Sequence, residues 1–205
     1  MNTASTQELN RAFIADRASS IRRALNGRSI VLVGIMGVGK STIGKRLSQY
    51  LEIPFFDADK EIERAAGMSI QDVFDHFGEE AFQSGEKKVI KRLLDEGQKV
   101  LATGGSAFVN ENIRRDVEES GVSVWLNANL EIVMKRVQRR SDRPFLKNQD
   151  PESTMRILLE KRNPLYALSD IHIESRMVSR DVIAVEIVNL LAQNLPEIAQ
   201  KRGWT

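Results

Sequence analysis

The sequence predicts an α/β fold of three layers, with a five-stranded parallel sheet between two layers of helices. Two observations carry this. Short apolar runs at residues 30–33, 54–56, 99–103, 122–126 and 171–173 alternate with stretches whose apolar residues recur at helical spacing. Strands separated in this way by helices pair parallel, because each crossover returns the chain to the same end of the sheet. The second observation is the octet Gly34-Ile35-Met36-Gly37-Val38-Gly39-Lys40-Ser41, which follows Ile30-Val31-Leu32-Val33 directly. It fits G-x-x-x-x-G-K-[ST], a pattern that needs a strand before it and a helix after it.

The octet carries its own chemistry. Bare glycine backbone lets consecutive N–H groups turn inward on phosphate oxygens, and a helix over residues 42–51 aims its positive N-terminus at the same anion. Gly37, Val38, Gly39, Lys40, Ser41 and Thr42 are therefore candidates for holding a nucleoside triphosphate. Lys40 brings a mobile cation to the β and γ phosphates, and the Ser41 hydroxyl is a candidate Mg²⁺ ligand. With glycine at about 7% of residues, chance would produce this pattern in about one per cent of chains this long.

A second strand, residues 54–56, runs into Asp57-Ala58-Asp59. If the chain stays extended there, both carboxylates face one way, at the strand end where ligands bind in open α/β sheets. One carboxylate suits a Mg²⁺-bound water and the other a substrate hydroxyl; capping of the next helix is the alternative. Residues 60–66 read as helix, punctuated by Gly67, and Ser69 can cap the next segment. Gly78 interrupts that segment, a longer helix covers residues 79–96, and Gly97 stops it. The third strand, 99–103, ends in Gly104-Gly105-Ser106, where bare backbone lets a small substrate approach N–H groups, or where the chain simply turns. A helix over 109–120, a strand over 122–126 and a helix over 130–140 follow. Residues 141–151 are polar, contain two prolines and lack periodicity, which reads as a loop or lid, extending to about residue 154. A helix over 152–166, a strand over 171–173 and an amphipathic helix over 182–195 close the domain, and residues 196–205 read as a tail.

Residues 1–28 form an extension in which Leu9, Phe13, Ile14, Ile21 and Leu25 share a helical stripe. It is Arg-rich, but Glu8 and Asp16 argue against a transit peptide; a helix packed on the domain or on a partner is expected. The 205 residues suit one main domain, 29–195, with an ordinary 41% hydrophobic and 28% charged content. No cysteine is present, which excludes disulfides and Cys-ligated zinc and is compatible with the cytoplasm. A net charge of +2 with 6% aromatics speaks against a nucleic-acid module, and no apolar run suggests a membrane span. Lys135-Arg136 with Arg139-Arg140 is a basic cluster suited to phosphate. Arg143, in the polar loop, can swing over phosphates as a charge-stabilising finger or remain a solvated lid residue. Arg162 can fork a carboxylate or form a surface salt bridge. His76 and His172 have no evident catalytic partners.

Taken together these motifs resemble the shikimate kinase family over residues 29–191. The resemblance rests on Gly34–Ser41 in its GxMGxGKS form, on Phe56-Asp57-Ala58-Asp59, and on Phe77-Gly78-Glu79-Glu80-Ala81-Phe82. It rests also on Ala102-Thr103-Gly104-Gly105, Arg143-Pro144-Phe145-Leu146 and Arg162-Asn163-Pro164-Leu165-Tyr166. It implies a P-loop fold of nucleoside monophosphate kinase type with a mobile lid, and ATP-dependent phosphorylation of the shikimate 3-hydroxyl in aromatic amino-acid biosynthesis. By position, Asp59 would hold substrate hydroxyls and assist deprotonation. Gly104 and Gly105 would contact substrate and Arg162 would grip its carboxylate. Arg143 would close over ATP, Arg176 would lie near adenine, and Asp57 would reach Mg²⁺ through water beside Ser41. A monomeric, cytoplasmic enzyme is expected.

One departure matters most. Where the family's F-R-x-x-E carries a substrate-gripping arginine, this chain has Gln83. Losing a charge-assisted contact of about 1.5–3 kcal/mol weakens binding about 10- to 150-fold. Lys87, one helical turn along, can restore part of the charge. Gln83 also favours the alternative of another small hydroxy acid, such as gluconate, as acceptor. A nucleotide-dependent switch is the remaining alternative, though Lys147-Asn148-Gln149-Asp150 has the wrong order to read guanine. Ser106, where the family has a third glycine, is the milder change.

Overall fold

The computed structural model describes residues 3–138 and 150–204. The helices are α1 (Thr3–Leu25), α2 (Lys40–Leu51), α3 (Ala58–Ala66), α4 (Ile70–Asp95), α5 (Glu111–Ser120), α6 (Leu130–Val137), α7 (Pro151–Tyr166) and α8 (Arg180–Lys201). The strands are β1 (Ser29–Val33), β2 (Phe55–Asp57), β3 (Val100–Ala102), β4 (Gly121–Asn127) and β5 (Ile171–Glu174). They form one sheet in the order β2-β3-β1-β4-β5, with every neighbouring pair parallel.

This order determines where chemistry can occur. β1 lies between β3 and β4, and all five of its residues are buried, as a parallel strand covered on both faces must be. Register pairs Leu32 with Ala102 and Asp57 with Ala102. The carboxyl ends of β1, β2 and β3 therefore stop at one level. They deliver the octet, the Asp57–Asp59 segment and the Thr103–Ser106 turn to one edge of the sheet. The order changes direction around β1, and such a switch point leaves a crevice beside the strand ends.

The helices follow from local signals. Ser69 accepts from the Asp72 N–H and Asp72 reciprocates, a capping box that starts α4. Gly78 (φ 80°) breaks that helix midway. Asp150 caps α7, whose first residue is Pro151, so residues 151–154, expected in the lid, belong to a helix. Proline fits there because the first helical N–H has no partner to lose.

Two further expectations are corrected at the chain ends. Of the stripe on the N-terminal extension, Ile21 and Leu25 are buried but Phe13 is 53% exposed; Ala18 takes the inner face instead. α1 packs on α8 and α2, and Arg22 donates to the Leu51 carbonyl at 2.8 Å. Burial of each large aliphatic side chain there contributes about 1.5–3 kcal/mol. Residues 196–201, expected as part of a tail, continue α8 through Pro196, and Trp204 is 4% exposed. Its carbonyl accepts from Asn26 Nδ2 at 3.0 Å, and Arg28 and Arg202 lie over its ring. Apolar burial and two cations hold this end down. Among the described residues, α8 is long and apolar enough to cross a bilayer, but Ile183, Ile187, Leu191 and Leu195 on its inner face are buried in the domain.

Candidate active site

Beside the strand ends lies a cavity of about 690 Å³. Gly37, Val38, Gly39, Lys40, Ser41 and Thr42 line one part of it; Asp57, Asp59, Thr103 and Gly105 line another; Arg136, Ser175 and Arg176 close a third side. All the residues expected to bind nucleotide that lie within the described chain thus meet in one space. Arg143 lies outside the described residues.

The octet is shaped by steric necessity. A Cβ on Gly34 would sit 2.6 Å from the Leu126 carbonyl oxygen, so only glycine lets the loop leave β1 against β4. Gly39 stands at the N-cap of α2 with φ 100°, a left-handed conformation, and no side chain caps the helix. Lys40, Ser41 and Thr42, the first turn of α2, line the cavity with the helix dipole behind them, and the Thr42 N–H donates to the Gly39 carbonyl at 3.1 Å. Lys40 Nζ donates to the carbonyls of Gly34 and Ile35 at 2.7 and 3.0 Å.

Arg136 braces this loop from outside. It donates to Val38 O at 3.0 Å, to Ser175 Oγ at 2.7 Å and to Arg176 O at 2.8 Å. Ser175 Oγ donates to the same Val38 carbonyl. Burial pulls the Arg136 pKa downward, yet its hydrogen bonds keep the guanidinium satisfied. Reading the sequence assigned Arg136 only to a basic cluster; its spacing from Ser175 leaves no local signal. Arg176 lines the cavity, with its guanidinium paired to Glu186 on α8.

Asp57 and Asp59 reach the cavity by different routes from the one expected. The chain does not stay extended: β2 ends at Asp57, and Asp59 sits in the first turn of α3. Strand alternation therefore does not align the two carboxylates; the strand-to-helix turn brings both to the cavity. Asp57 is the N-cap residue of α3, but its side chain accepts no capping hydrogen bond. The capping alternative fails for it, and the carboxylate faces the cavity.

Beyond Asp59, which is half-buried, lies a second and buried acid, Glu86. A Cβ on Gly104 would fall 2.8 Å from Asp59 Oδ1 and 2.9 Å from Glu86 Oε1, so glycine here makes room for two carboxylates. Glu86, from α4, is 2% exposed, and its Oε1 has no hydrogen-bond partner. Burial, then the nearby Asp59 charge, pushes its pKa up to about 7 against a smaller pull from Arg162. The pair therefore carries less than two charges near neutrality. Arg162 Nη1 donates to Gly105 O at 3.2 Å.

Comparisons with known proteins identify the family. A sequence model described as Shikimate kinase matches residues 36–192. The chain belongs to the shikimate kinase family. It is 50% identical over 181 residues to a shikimate kinase of Bradyrhizobium diazoefficiens, covering 88% of this chain and 87% of that one. Against the Brucella suis shikimate kinase the identity is 45% over 179 residues, covering 87% and 90%. Among solved structures, shikimate kinase from Acinetobacter baumannii in complex with shikimate superposes with a TM-score of 0.80 at 34% identity, over 86% of this chain and 98% of that one. A gluconokinase from Sinorhizobium meliloti reaches 0.52 at 18% identity, which shows the shared fold alone.

As a shikimate kinase, the protein is an ATP-dependent small-molecule kinase, and its residues divide around that activity. Gln83, expected to touch substrate, is exposed and outside the cavity lining; its amide donates to Glu79 Oε1 at 3.0 Å. Lys87 is also exposed. Glu86 is the residue a motif-by-motif reading passed over, although it closes the F-x-x-x-E pattern that holds Gln83. His76 and His172 lie away from the cavity lining, each against a backbone carbonyl.

Proposed function

We propose that this chain transfers the γ-phosphoryl group of ATP to the 3-hydroxyl of shikimate through the groups gathered in the cavity. The observation that supports this reading most is continuity: Lys40 and Ser41 share one space of about 690 Å³ with Asp59 and Gly105. Lys40 and the N–H groups of the octet and α2 hold the phosphates. Asp59 accepts the proton of the attacking hydroxyl as its oxygen bonds to the γ-phosphorus and the bond to the β,γ-bridging oxygen breaks, releasing ADP. Gly105 and Arg162 orient the acceptor, with Arg162 taking its carboxylate. Positioning and charge neutralisation supply most of the rate in such transfers.

The residues present fit Mg²⁺. The Ser41 hydroxyl and the free Asp57 carboxylate open on the same cavity, and no group of three or more acidic or histidine side chains gathers among the described residues. Magnesium bound to one or two protein oxygens, with phosphates and water completing its shell, needs no larger set. When bound it neutralises charge on the β and γ phosphates. Arg143 is proposed to close over ATP, and a monomer in the cytoplasm is the expected working state.

A coupled ADP-release assay with shikimate, gluconate and no acceptor tests the reading. Turnover with shikimate only is expected. Equal turnover with gluconate, or without any acceptor, would overturn it.

A further inference from the structure

Two donors converge on one carbonyl at the acceptor end. Tyr166 Oη donates to Gly105 O, and Arg162 Nη1 donates to the same oxygen. A carbonyl oxygen offers two lone pairs, so Gly105 O is saturated. Arg162 and Tyr166 stand four residues apart on α7, one turn on the same face. The guanidinium also faces the phenol directly, drawing its pKa down while burial holds it up at about 12. The hydroxyl therefore keeps its proton at any working pH.

Tyr166 itself does not line the cavity. Its ring is fully buried, with Trp125 of β4 at 6.1 Å between ring centroids and His172 of β5 edge-on to Trp125 at 5.2 Å. The phenol is thus anchored on the sheet and reaches outward to a single backbone atom. An arginine fork has five donors in fixed geometry. Once Nη1 is tied to Gly105 O, the direction of its remaining N–H groups follows from where that carbonyl points.

We infer that Tyr166 is a positioning residue for the acceptor: its hydroxyl fixes the Gly105 carbonyl, and that carbonyl aims the Arg162 guanidinium at the acceptor's carboxylate. The inference rests on the proposed role of Arg162 and extends it to a residue that touches no substrate. Tyr166→Phe keeps the ring and removes the one donor. Loss of a single neutral hydrogen bond corresponds to about a 3- to 10-fold rise in shikimate KM, with ATP KM within twofold of wild type. In an Arg162→Ala background, Tyr166→Phe should add nothing to the shikimate KM.

A shikimate KM unchanged by Tyr166→Phe, equal rises in both KM values, or multiplying effects in the double variant would each overturn the inference. A purely structural tyrosine would lower Tm and leave the two KM values unsplit. If Arg162→Ala alone leaves shikimate KM unchanged, the role proposed for Arg162 fails first, which separates the two failures. Should Tyr166→Phe not fold, NMR of the wild-type enzyme provides the test. The protected Tyr166 hydroxyl proton should shift on adding shikimate and not on adding ADP; a shift with ADP alone would contradict the inference.

Discussion

At the nucleotide end of the cavity the candidate groups are nearly consecutive, running from the loop after β1 into the first turn of α2. At the acceptor end the candidate groups come from separate elements: Asp59 of α3 and Gly105 of the turn after β3 line the cavity, with Glu86 of α4 beside Asp59 and Arg162 of α7 on the Gly105 carbonyl. The first arrangement is made of backbone geometry, with glycines where a side chain would collide and a helix terminus for charge. The second is made of side chains held by tertiary packing, and it stores a buried carboxylate with an unpartnered oxygen. A backbone-built site tolerates change around it, whereas a packing-built site couples each of its members to the others. Substitutions at the two ends should therefore behave differently, and five of them probe the contrast.

The largest effect is expected from Asp59→Asn. Removing the proton acceptor should lower kcat about 10³-fold, with ATP KM unchanged in steady-state assays. A comparable rise in ATP KM would mean that the two ends are not separable. Lys40→Ala should cost about 10²- to 10³-fold in kcat, as loss of one preorganised charge contact does. Calorimetry should find shikimate affinity within twofold of wild type.

Gln83→Arg comes next. A guanidinium at this position, one turn from buried Glu86, should raise kcat/KM for shikimate about 10- to 150-fold. No gain would mean that the acceptor end works without a charge on this face of α4, and Lys87→Ala then tests the cation one turn further along it: an unchanged shikimate KM removes it from consideration.

The last prediction concerns stability rather than rate. The folded-state pKa of Glu86 lies above its ordinary value of 4.5, at about 7, so the fold binds this proton more tightly than the unfolded chain does. Its contribution is fully present below pH 4.5 and is lost as pH rises to about 7. Glu86→Gln removes that loss. Urea unfolding should find it more stable than wild type at pH 8, by at most about 3 kcal/mol, and nearly equal at pH 4.5. A constant difference across that range would contradict the assignment of the shift to Glu86.

How far the sequence could be read follows the same division. The octet was legible because strand, loop and helix are contiguous and the reason for each glycine is local. β1, β3 and β4 were legible because strands buried on both faces read as continuous apolar runs, whereas β2 is half-buried and β5 alternates buried and exposed residues, so those two showed only as short apolar stretches between helices. Asp57 and Asp59 were found as a pair, but their geometry was misread: helix α3 begins at Ala58, and nothing in Asp57-Ala58-Asp59 alone distinguishes a continuing strand from a helix start. Trp204 was misread as part of a tail because its burial depends on Asn26, Arg28 and Arg202, which meet only in the fold. Arg136 had no local signature, since the partner that defines it, Ser175, lies 39 residues away; Glu86 was marked by the F-x-x-x-E spacing, but its pairing with Asp59, 27 residues away, was not.

The central claim is that both ends of one cavity act on one phosphoryl group. ³¹P and ¹H NMR of the product formed from ATP and shikimate tests it most directly. The account predicts a single phosphate ester at the 3-hydroxyl, formed in step with ADP. Inorganic phosphate accumulating with ADP, or an ester at another hydroxyl, would contradict it.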